Sequence, residues 1–387
     1  MEEQTKGKPI RCKAAVCWNP GEVLVIEEIE VAPPQGYEVR IKVICTSLCH
    51  SDITYRNRKD LPLPFPLIFG HEAVGVVESV GEGVDEVKEG DLVVPFFLPE
   101  CGDCTDCKSP KSNLCTKVPF QIAGSMIRSG TTRFSALAGG RHHPSPIYQV
   151  LGVSSFSEYT VVDVANVVKI PIDLPPDMAC LLSCGISTGV GGAWRAAMVE
   201  AGSTVVIFGL GTVGLAVAEG ARIQGASKII GVDLNPQKFE LGQVYGLTDF
   251  INPKECGDKP VHEVVRAMTD GGADYCFECV GLASLMSDAF LSSRPGWGKT
   301  IILGVEMHGA PLSISALEIL KGKTVMGSMF GGIKPKADIP ILANKYLKKE
   351  LQLEGFITHE VSFQDINKAF DLMLQGECLR CIIRMDA

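Results

Sequence analysis

The stretch TVVIFGLGTVGLAVAEGARIQGASKIIGVD, residues 204–233, determines how the second half of the chain folds. A short β-branched run leads into a turn that contains Gly209, Gly211 and Gly214, and an apolar helical segment follows directly. The next predicted strand ends at Asp233, 19 residues after Gly214. This order of strand, glycine turn, helix and acidic strand end is typical of a dinucleotide-binding unit. The glycines would let the backbone approach a pyrophosphate at the helix N-terminus.

The acidic residue at the end of the second strand predicts which dinucleotide binds. The carboxylate of Asp233 would accept hydrogen bonds from the adenosine ribose and repel a 2′-phosphate, so the sequence favours NAD over NADP. Lys238, on the following predicted helix, is either a second ribose contact or an ordinary solvated lysine. A glycine-rich turn in some other α/β sheet is the alternative interpretation of the whole motif.

The hydrophobic pattern on either side of this motif predicts two domains. In residues 186–328, β-branched runs alternate with amphipathic helical segments, which is typical of a doubly wound parallel sheet covered on both faces. Residues 1–185 contain many short β-runs, such as EVRIKVIC and AVGVVESVG, broken by Gly, Pro and acidic residues. Residues 329–387 are assigned to this first, β-rich domain because the parallel sheet already has its six strands. The predicted fold class is therefore α/β.

Length and composition restrict the classes of protein to consider. A chain of 387 residues is too long for one ordinary core. The net charge of -9 argues against nucleic acid or an anionic membrane surface as a partner. No run of 18 apolar residues exists, and the polar, acidic start resembles neither a secretory signal nor a transit peptide. A cytosolic enzyme acting on a small molecule is expected.

The cysteine content points to metal binding. There are 15 cysteines, and the segment CGDCTDCKSPKSNLC holds four of them: Cys101, Cys104, Cys107 and Cys115. Two Cys-x-x-Cys steps and a fourth thiolate across a short loop predict a closed tetrahedral site, which would be structural. Zinc is favoured over an iron–sulfur cluster because nothing else in the chain suggests electron transfer. Four free surface thiols are the alternative.

A second set of possible ligands is widely separated in sequence. Cys49 lies in CHSD, His71 in GHEAVGVVESVG and Cys184 in LLSCGISTG. Two thiolates and one imidazole with an open fourth position are typical of a catalytic zinc site. Spacing alone leaves the question open, since a buried cysteine often serves as a small apolar residue and a lone histidine as a structural hydrogen-bonding group.

Together these features resemble the zinc-containing medium-chain alcohol dehydrogenases, and within them the plant branch. The resemblance covers essentially the whole chain and rests on the following motifs: CHSD, GHEAVGVVESVG, CGDCTDCKSPKSNLC, LLSCGISTG, GLGTVGLA, IIGVDLNPQKFELG and FGGIKPK. It implies a GroES-like catalytic domain, a Rossmann domain, two zinc ions per chain and NAD. It also implies a homodimer joined through the segment around residues 300–325.

The resemblance also implies roles for residues of the catalytic site. Cys49, His71 and Cys184 would bind the catalytic zinc, and Glu72 matches an acidic neighbour of the metal. Ser51 matches the hydroxyl that takes the proton of the substrate alcohol. Asp52 matches a buried carboxylate that orients the histidine ligand. Zinc would polarise the alcohol oxygen, and hydride would pass from carbon to nicotinamide.

Further residues match the family's cofactor and substrate positions. His50 and Arg380 match basic positions that meet the cofactor pyrophosphate, and Thr188 and Val213 match residues that pack against the nicotinamide. The expected walls of the substrate channel are these: Phe97, Phe156, Met329 and, on the cofactor side, Val305.

The chain departs from the family where the proton would reach solvent. Thr54 stands where many members carry a histidine, and the segment after it, YRNRKDLPLPFP, is unusually polar. The region 118–150 reads as a long surface loop, in which His142 and His143 lie either near the channel mouth or in solvent. A non-redox hydroxynitrile lyase of the flax type is therefore an alternative: it would cleave a small cyanohydrin to ketone and cyanide, with NAD only structural. A formaldehyde–glutathione reductase and an inactive binding protein are further alternatives.

Overall fold

The computed structural model describes residues 5–137, 145–307 and 309–385. His142 and His143 therefore lie outside the described residues. The chain divides into two compact units. The first comprises the described residues of Met1–Cys184, Lys334–Leu347 and Phe356–Ala387, and the second comprises Gly185–Ile333 and Lys348–Gly355.

The strands form three consecutive groups along the chain, which belong to the first unit, the second unit and again the first unit. The first eleven belong to the first unit: β1 Ile10–Cys17, β2 Val25–Val31, β3 Glu38–Ser47, β4 Leu67–Ile68, β5 Glu72–Val80, β6 Leu92–Pro95, β7 Ala123–Gly124, β8 Phe134–Ala136, β9 Pro146–Val150, β10 Tyr159–Asp163 and β11 Val167–Lys169. Six belong to the second: β12 Thr204–Phe208, β13 Lys228–Val232, β14 Asp249–Ile251, β15 Tyr275–Glu278, β16 Lys299–Ile302 and β17 Thr324–Gly327. The last two return to the first unit: β18 Ile357–Ser362 and β19 Arg380–Arg384.

The helices of the described chain are mostly short. The α-helices are α1 His50–Asn57, α2 Thr105–Lys108, α3 Pro176–Leu181, α4 Gly185–Gly191, α5 Thr212–Ile223, α6 Gln237–Val244, α7 Val261–Met268, α8 Ala283–Ser292, α9 Ala316–Leu320, α10 Pro335–Leu347 and α11 Ile366–Leu374. A π-helix covers Gly192–Ala197, and single 3₁₀ turns cover Val164–Asn166, Pro253–Glu255, Met329–Gly332 and Phe363–Asp365. Within the described residues, no helix is both long and apolar enough to span a bilayer.

Two β-sheets build the first unit, as the broken β-runs predict. The expectation of a long surface loop at 118–150 is wrong, because β7, β8 and β9 lie in that region and pair in one of these sheets. One has the order β4-β1-β2-β8-β9-β7 and is closed by pairing of β4 with β9; the other has the order β11-β6-β5-β3-β19-β18, with β10 also on β3. Strand β3 is central to the second sheet. Its last residue, Ser47, pairs with Glu72 on one side and with Ile382 on the other. This register brings three distant parts of the chain to one place.

The second unit is a six-stranded sheet with the order β14-β13-β12-β15-β16-β17, and every pairing is parallel. This arrangement confirms the predicted doubly wound Rossmann sheet. Strand β12 is buried from Val205 to Phe208, because helices α5 and α8 pack against it. The core between sheet and helices continues through Ile230, Val265 and other apolar side chains.

The chain returns to the first unit at Lys334 and not at residue 329, where the sequence predicted the boundary. The turn Met329–Gly332 belongs to the second unit, because a side-chain carbon at Gly331 would lie 2.2 Å from the carbonyl oxygen of Thr188. Residues 348–355 also belong there: the N–H of Gln352 donates to Glu219 at 2.8 Å, and the Tyr245 hydroxyl donates to the carbonyl of Glu354. These backbone contacts have no signature in the hydrophobic pattern.

Candidate active site

The first unit gathers Cys49, His71, Glu72 and Cys184, each of which offers a ligand atom within 4.8 Å of the others. Cys49, His71 and Glu72 are buried, and Cys184 is partly buried. The pairing of Ser47 with Glu72 explains the meeting, since Cys49 follows the end of β3 and His71 precedes the start of β5. Two thiols, an imidazole and a carboxylate in a buried pocket form a donor set that fits zinc.

A buried carboxylate fixes the orientation of the imidazole. Asp52 Oδ1 lies 3.1 Å from Nδ1 of His71 and accepts the Gly70 N–H at 3.0 Å, while Oδ2 accepts the Cys49 N–H at 3.1 Å. Asp52 has no exposed surface. Because Nδ1 is engaged with Asp52, Nε2 is the nitrogen left for a metal. Asp52 thus holds both the His71 ring and the Cys49 backbone.

Arg380 is the main cationic partner of this cluster. Its Nε and Nη2 donate to the two oxygens of Glu72, both at 2.8 Å, and Nη2 also donates to Cys49 Sγ at 3.5 Å. Nη1 donates to the carbonyl of Leu379 at 2.9 Å. The guanidinium, predicted to meet a cofactor pyrophosphate, is therefore placed on the acidic and thiol groups of the cluster. The sequence offers no sign of this contact, which depends on the pairing of β19 with β3.

Proximity changes the acidity of the clustered groups. A hydrogen bond from Cys184 lowers the pKa of the Cys49 thiol, and the charge of Arg380 lowers it further, whereas the same shared hydrogen bond raises the pKa of Cys184. Burial raises the pKa of Glu72 despite its contact with Arg380. Of the two thiols, Cys49 therefore ionises more readily, and both would lose their protons on binding a divalent metal.

The polar residues that follow Cys49 lie in the first two turns of α1. The hydroxyl oxygen of Ser51 lies 3.7 Å from Cys49 Sγ, so the predicted proton-transfer residue is next to the cluster. The Thr54 hydroxyl donates to the carbonyl of His50 at 3.0 Å, within the helix. His50 is exposed. Of these three residues, the structure brings only Ser51 into contact with a clustered group.

The aromatic residues predicted to line a substrate channel occupy different environments. Phe97 meets the His71 ring edge to face, with centroids 6.0 Å apart. Phe156 has no exposed surface: it packs against Phe370 and directly behind Gly70, so in this structure it supports the turn before His71 and lines no open space. Met329 and Val305, both partly exposed, belong to the second unit.

The four-cysteine segment forms a second cluster in the first unit. Its sulfur atoms all lie within 4.8 Å of one another, with Cys101 and Cys107 at 3.9 Å and Cys104 and Cys115 at 4.0 Å. Backbone N–H groups point at the sulfurs, as in the bond from Cys107 N to Cys104 Sγ at 3.4 Å. That bond is the largest cause of the lowered pKa of Cys104, about 5. Four thiols in this arrangement fit one zinc ion with no open position.

The glycine turn of the second unit has the geometry expected of a pyrophosphate-binding loop. Gly209 adopts φ 90°, and a side-chain carbon at Gly214 would lie 1.8 Å from the Gly209 carbonyl oxygen. Gly211 caps α5 and has open space where a side chain would stand. The turn therefore leads directly into the N-terminus of α5, where a pyrophosphate binds in sheets of this type.

Asp233 lies beside this turn. Its Oδ2 accepts the Leu210 N–H at 2.7 Å and lies 3.3 Å from Lys238 Nζ. The acidic residue is thus held against the turn, and Lys238 is its ion-pair partner. Near the N-terminus of α5, helix α4 packs closely because Gly189 has no side chain that would meet the Val213 carbonyl. Thr188 and Val213 therefore lie on neighbouring helices.

Fold and site together define a zinc-binding dehydrogenase, and the comparisons with known proteins specify the family. The alcohol dehydrogenase GroES-like domain matches residues 35–172, and the zinc-binding dehydrogenase domain matches residues 212–349. The chain belongs to the zinc-containing medium-chain alcohol dehydrogenase family, in its plant branch.

Relatives and solved structures match over nearly the full length. Alcohol dehydrogenase-like 2 of Arabidopsis thaliana is 60% identical over 99% of this chain and 98% of its own. Alcohol dehydrogenase 1 of Petunia hybrida is 52% identical over all of both chains. The crystal structure of benzyl alcohol dehydrogenase from Acinetobacter calcoaceticus superimposes with a TM-score of 0.85 at 28% identity, covering 97% of this chain and 99% of that one. The chain is thus an enzyme of the zinc alcohol oxidoreductase type.

Proposed function

We propose that this enzyme interconverts a small alcohol and its aldehyde or ketone with NAD, using one catalytic and one structural zinc ion per chain. The observation that carries the proposal is the buried cluster of Cys49, His71 and Cys184, with the Ser51 hydroxyl beside it. When bound, zinc supplies a Lewis acid and NAD supplies a hydride acceptor. Side chains of this protein have the other tasks: they position the ligands, balance charge and transfer the proton.

The residues around the cluster prepare the site for deprotonation of an alcohol. Asp52 fixes the His71 ring and the Cys49 backbone, so the ligand atoms are positioned before a substrate arrives. Arg380 balances the charge of Glu72 and Cys49 in a buried environment. Ser51 is partly exposed and is the hydroxyl next to the cluster, so we assign it the transfer of the substrate proton outward.

We infer a preference for NAD from Asp233. Its carboxylate is held at the glycine turn by the Leu210 N–H, at the end of β13 where the adenosine ribose binds in such sheets. A 2′-phosphate there would meet a fixed negative charge. Lys238 neutralises Asp233 only in part, because it lies 3.3 Å from one oxygen and remains partly exposed.

A homodimer is proposed from the edge of the second unit's sheet. Strand β17 ends the sheet order, and most of its residues are exposed. The neighbouring helix α9 exposes Leu317 and Leu320, and Leu320 is 81% exposed. An unpaired strand edge beside exposed apolar residues is suited to pairing with a second copy.

A cytosolic location is proposed from the cysteines. All 15 are free thiols, and no disulfide stabilises either unit. Zinc-binding clusters and unpaired thiols suit a reducing compartment.

A paired assay tests the proposed reaction. Purified zinc-loaded enzyme is given a panel of primary and secondary alcohols with NAD or NADP, and formation of the reduced cofactor is followed; a second arm supplies acetone cyanohydrin and measures cyanide. We expect alcohol-dependent reduction of NAD and no enzymatic cyanide release. Cyanide release without cofactor reduction would contradict the proposal and establish the lyase alternative, which gains no support from the relatives named above.

A further inference from the structure

A buried carboxylate in the second unit is used by none of the roles assigned above. Glu278 is the last residue of β15 and has no exposed surface. Its Oε1 accepts the N–H of Val280 at 2.9 Å and the N–H of Gly281 at 2.7 Å, and the N–H of Leu282 lies at 3.5 Å. One oxygen of Glu278 thus holds the backbone of the turn that connects β15 to α8.

The other carboxylate oxygen has no hydrogen-bond partner within the part of the chain that the structure describes. Oε2 is fully buried, and it lies so close to Gly304 that a side-chain carbon at that glycine would be 2.5 Å away. The backbone carbonyl of Glu278 accepts the N–H groups of Leu303 and Gly304, at 2.9 and 3.0 Å. Leaving a buried oxygen unpaired destabilises a fold, and such exceptions are expected at positions that serve function.

The turn held by Glu278 lies where the strand order of the parallel sheet reverses. Strands β13 and β14 lie on one side of β12, and β15 and β16 lie on the other. At such a point, ligands bind in the crevice outside the carboxyl ends of the two central strands. Phe208, the last residue of β12, pairs with Glu278, and its carbonyl accepts the Cys279 N–H at 2.9 Å. Glu278 therefore lies at the base of this crevice.

Val280 connects this turn to the glycine motif. A side-chain carbon at Gly209 would lie 2.4 Å from Cγ2 of Val280, so the valine packs directly on the first glycine of the motif. Val280 is also 47% exposed, so a large part of its side chain is not covered by the core. Without the hydrogen bond from its N–H to Glu278, nothing in the turn would hold the valine at this distance from Gly209.

We propose that Glu278 is a positioning residue for the cofactor: through the N–H groups of Val280 and Gly281 it holds Val280 against Gly209, and so fixes one wall of the crevice in which the dinucleotide binds. Because the carboxylate is buried, it acts on affinity by ordering the turn before binding. This inference rests on the proposed binding of NAD and is independent of the alcohol reaction. The alternative is a role in stability alone, since Glu278 also serves the N-terminus of α8, where Leu282 provides no side-chain cap.

Binding of NADH to the zinc-loaded enzyme in the absence of alcohol separates these two roles. The fluorescence of NADH gives its dissociation constant, and thermal unfolding gives the Tm of the same preparations. Glu278→Ala should weaken NADH binding by roughly tenfold, and should raise KM for NAD more than it lowers kcat. Glu278→Gln keeps an oxygen for both N–H groups and should restore the affinity to within about threefold of the wild type.

Glu219→Ala is the matched control. Glu219 is a buried carboxylate of the same unit, in the second half of α5, where it accepts the Gln352 N–H and pairs with Arg222. Its replacement should lower the Tm without changing the dissociation constant of NADH. If Glu278→Ala also lowered only the Tm, or if Glu278→Gln bound NADH as weakly as Glu278→Ala, the proposal would be wrong.

Val280→Ala keeps the test decisive if Glu278→Ala does not fold. This variant shortens the side chain that packs on Gly209 and leaves the N–H bond to Glu278 in place. We expect NADH binding to weaken several-fold with an unchanged Tm, and an unchanged affinity would overturn the proposal. A wild-type enzyme that binds NADH but oxidises no alcohol would contradict the proposed function, while the binding titrations would still decide the role of Glu278.

Discussion

At the scale of single residues, Arg380 and Asp52 determine the chemistry of the cluster as much as the ligands do. Asp52 holds His71 and Cys49, and Arg380 holds Glu72 and Cys49. Removing the partner of a buried charge typically costs about 3–5 kcal/mol, because the remaining charge is left uncompensated. The ligands could be predicted from the sequence because they resemble a family pattern. The partner of Arg380 could not, because it depends on the register of β19 on β3.

Cofactor choice is also a single-residue property. Asp233→Asn keeps a side-chain oxygen that can accept the Leu210 N–H and removes the negative charge. We expect the ratio of kcat/KM for NADP to that for NAD to rise by roughly tenfold, which corresponds to about 1.4 kcal/mol. Steady-state kinetics with both cofactors measures it. Asp249→Asn, at the start of the neighbouring strand β14, is the matched control and should leave the ratio unchanged.

At the scale of elements, the glycine turn before α5 shows how two glycines of one motif, Gly211 and Gly214, differ in their surroundings. Gly214→Ala would place a carbon 1.8 Å from the Gly209 carbonyl oxygen, whereas Gly211→Ala meets nothing within 4 Å. We expect Gly214→Ala to lower the Tm, because the start of α5 must shift. Gly211→Ala should keep the Tm and weaken NAD binding, since its methyl group would face the approaching pyrophosphate. Calorimetry and a binding titration separate the two effects; equal Tm values would refute this assignment.

The four-cysteine loop is an element held together by its own cluster. Cys104→Ser should remove the metal from that site and destabilise the packing of the loop on Val118 and Ala165. A loss of about 3 kcal/mol would lower the Tm by roughly 6–12 °C. Metal analysis and thermal unfolding check this, with Cys256→Ser as the control. A variant with unchanged zinc content and Tm would show that these thiols bind no structural ion.

The elements also show what a sequence can and cannot predict. The parallel sheet of the second unit follows from β-branched runs that alternate with helices, and the structure has six strands there as predicted. The segment 348–355 could not be assigned from its pattern, because its place depends on backbone bonds to Glu219 and from Tyr245. Phe156 reads equally well as a channel wall and as core, and only its packing behind Gly70 distinguishes them.

At the scale of the whole molecule, the proposed dimer can be tested at the exposed edge of the second unit's sheet. Leu320 is 81% exposed on α9, and β17 is an edge strand. Leu320→Lys should shift the protein toward a monomer, because a charge would have to be buried at the interface. Light scattering coupled to size-exclusion chromatography measures the mass. Ile172→Lys, at a 74% exposed position of the first unit, is the control and should leave the mass unchanged. A dimer that persists in Leu320→Lys would place the interface elsewhere.

The measurement that tests the proposed function most directly combines zinc content with alcohol-dependent reduction of NAD in the wild type and in Cys49→Ser. Serine keeps the size of the side chain and removes the thiolate that contacts Cys184 and Arg380. We expect the wild type to hold two zinc ions per chain, and Cys49→Ser to lose one of them together with turnover while keeping a similar Tm. Wild-type zinc content and turnover in Cys49→Ser would contradict the assignment of this cluster as the catalytic centre.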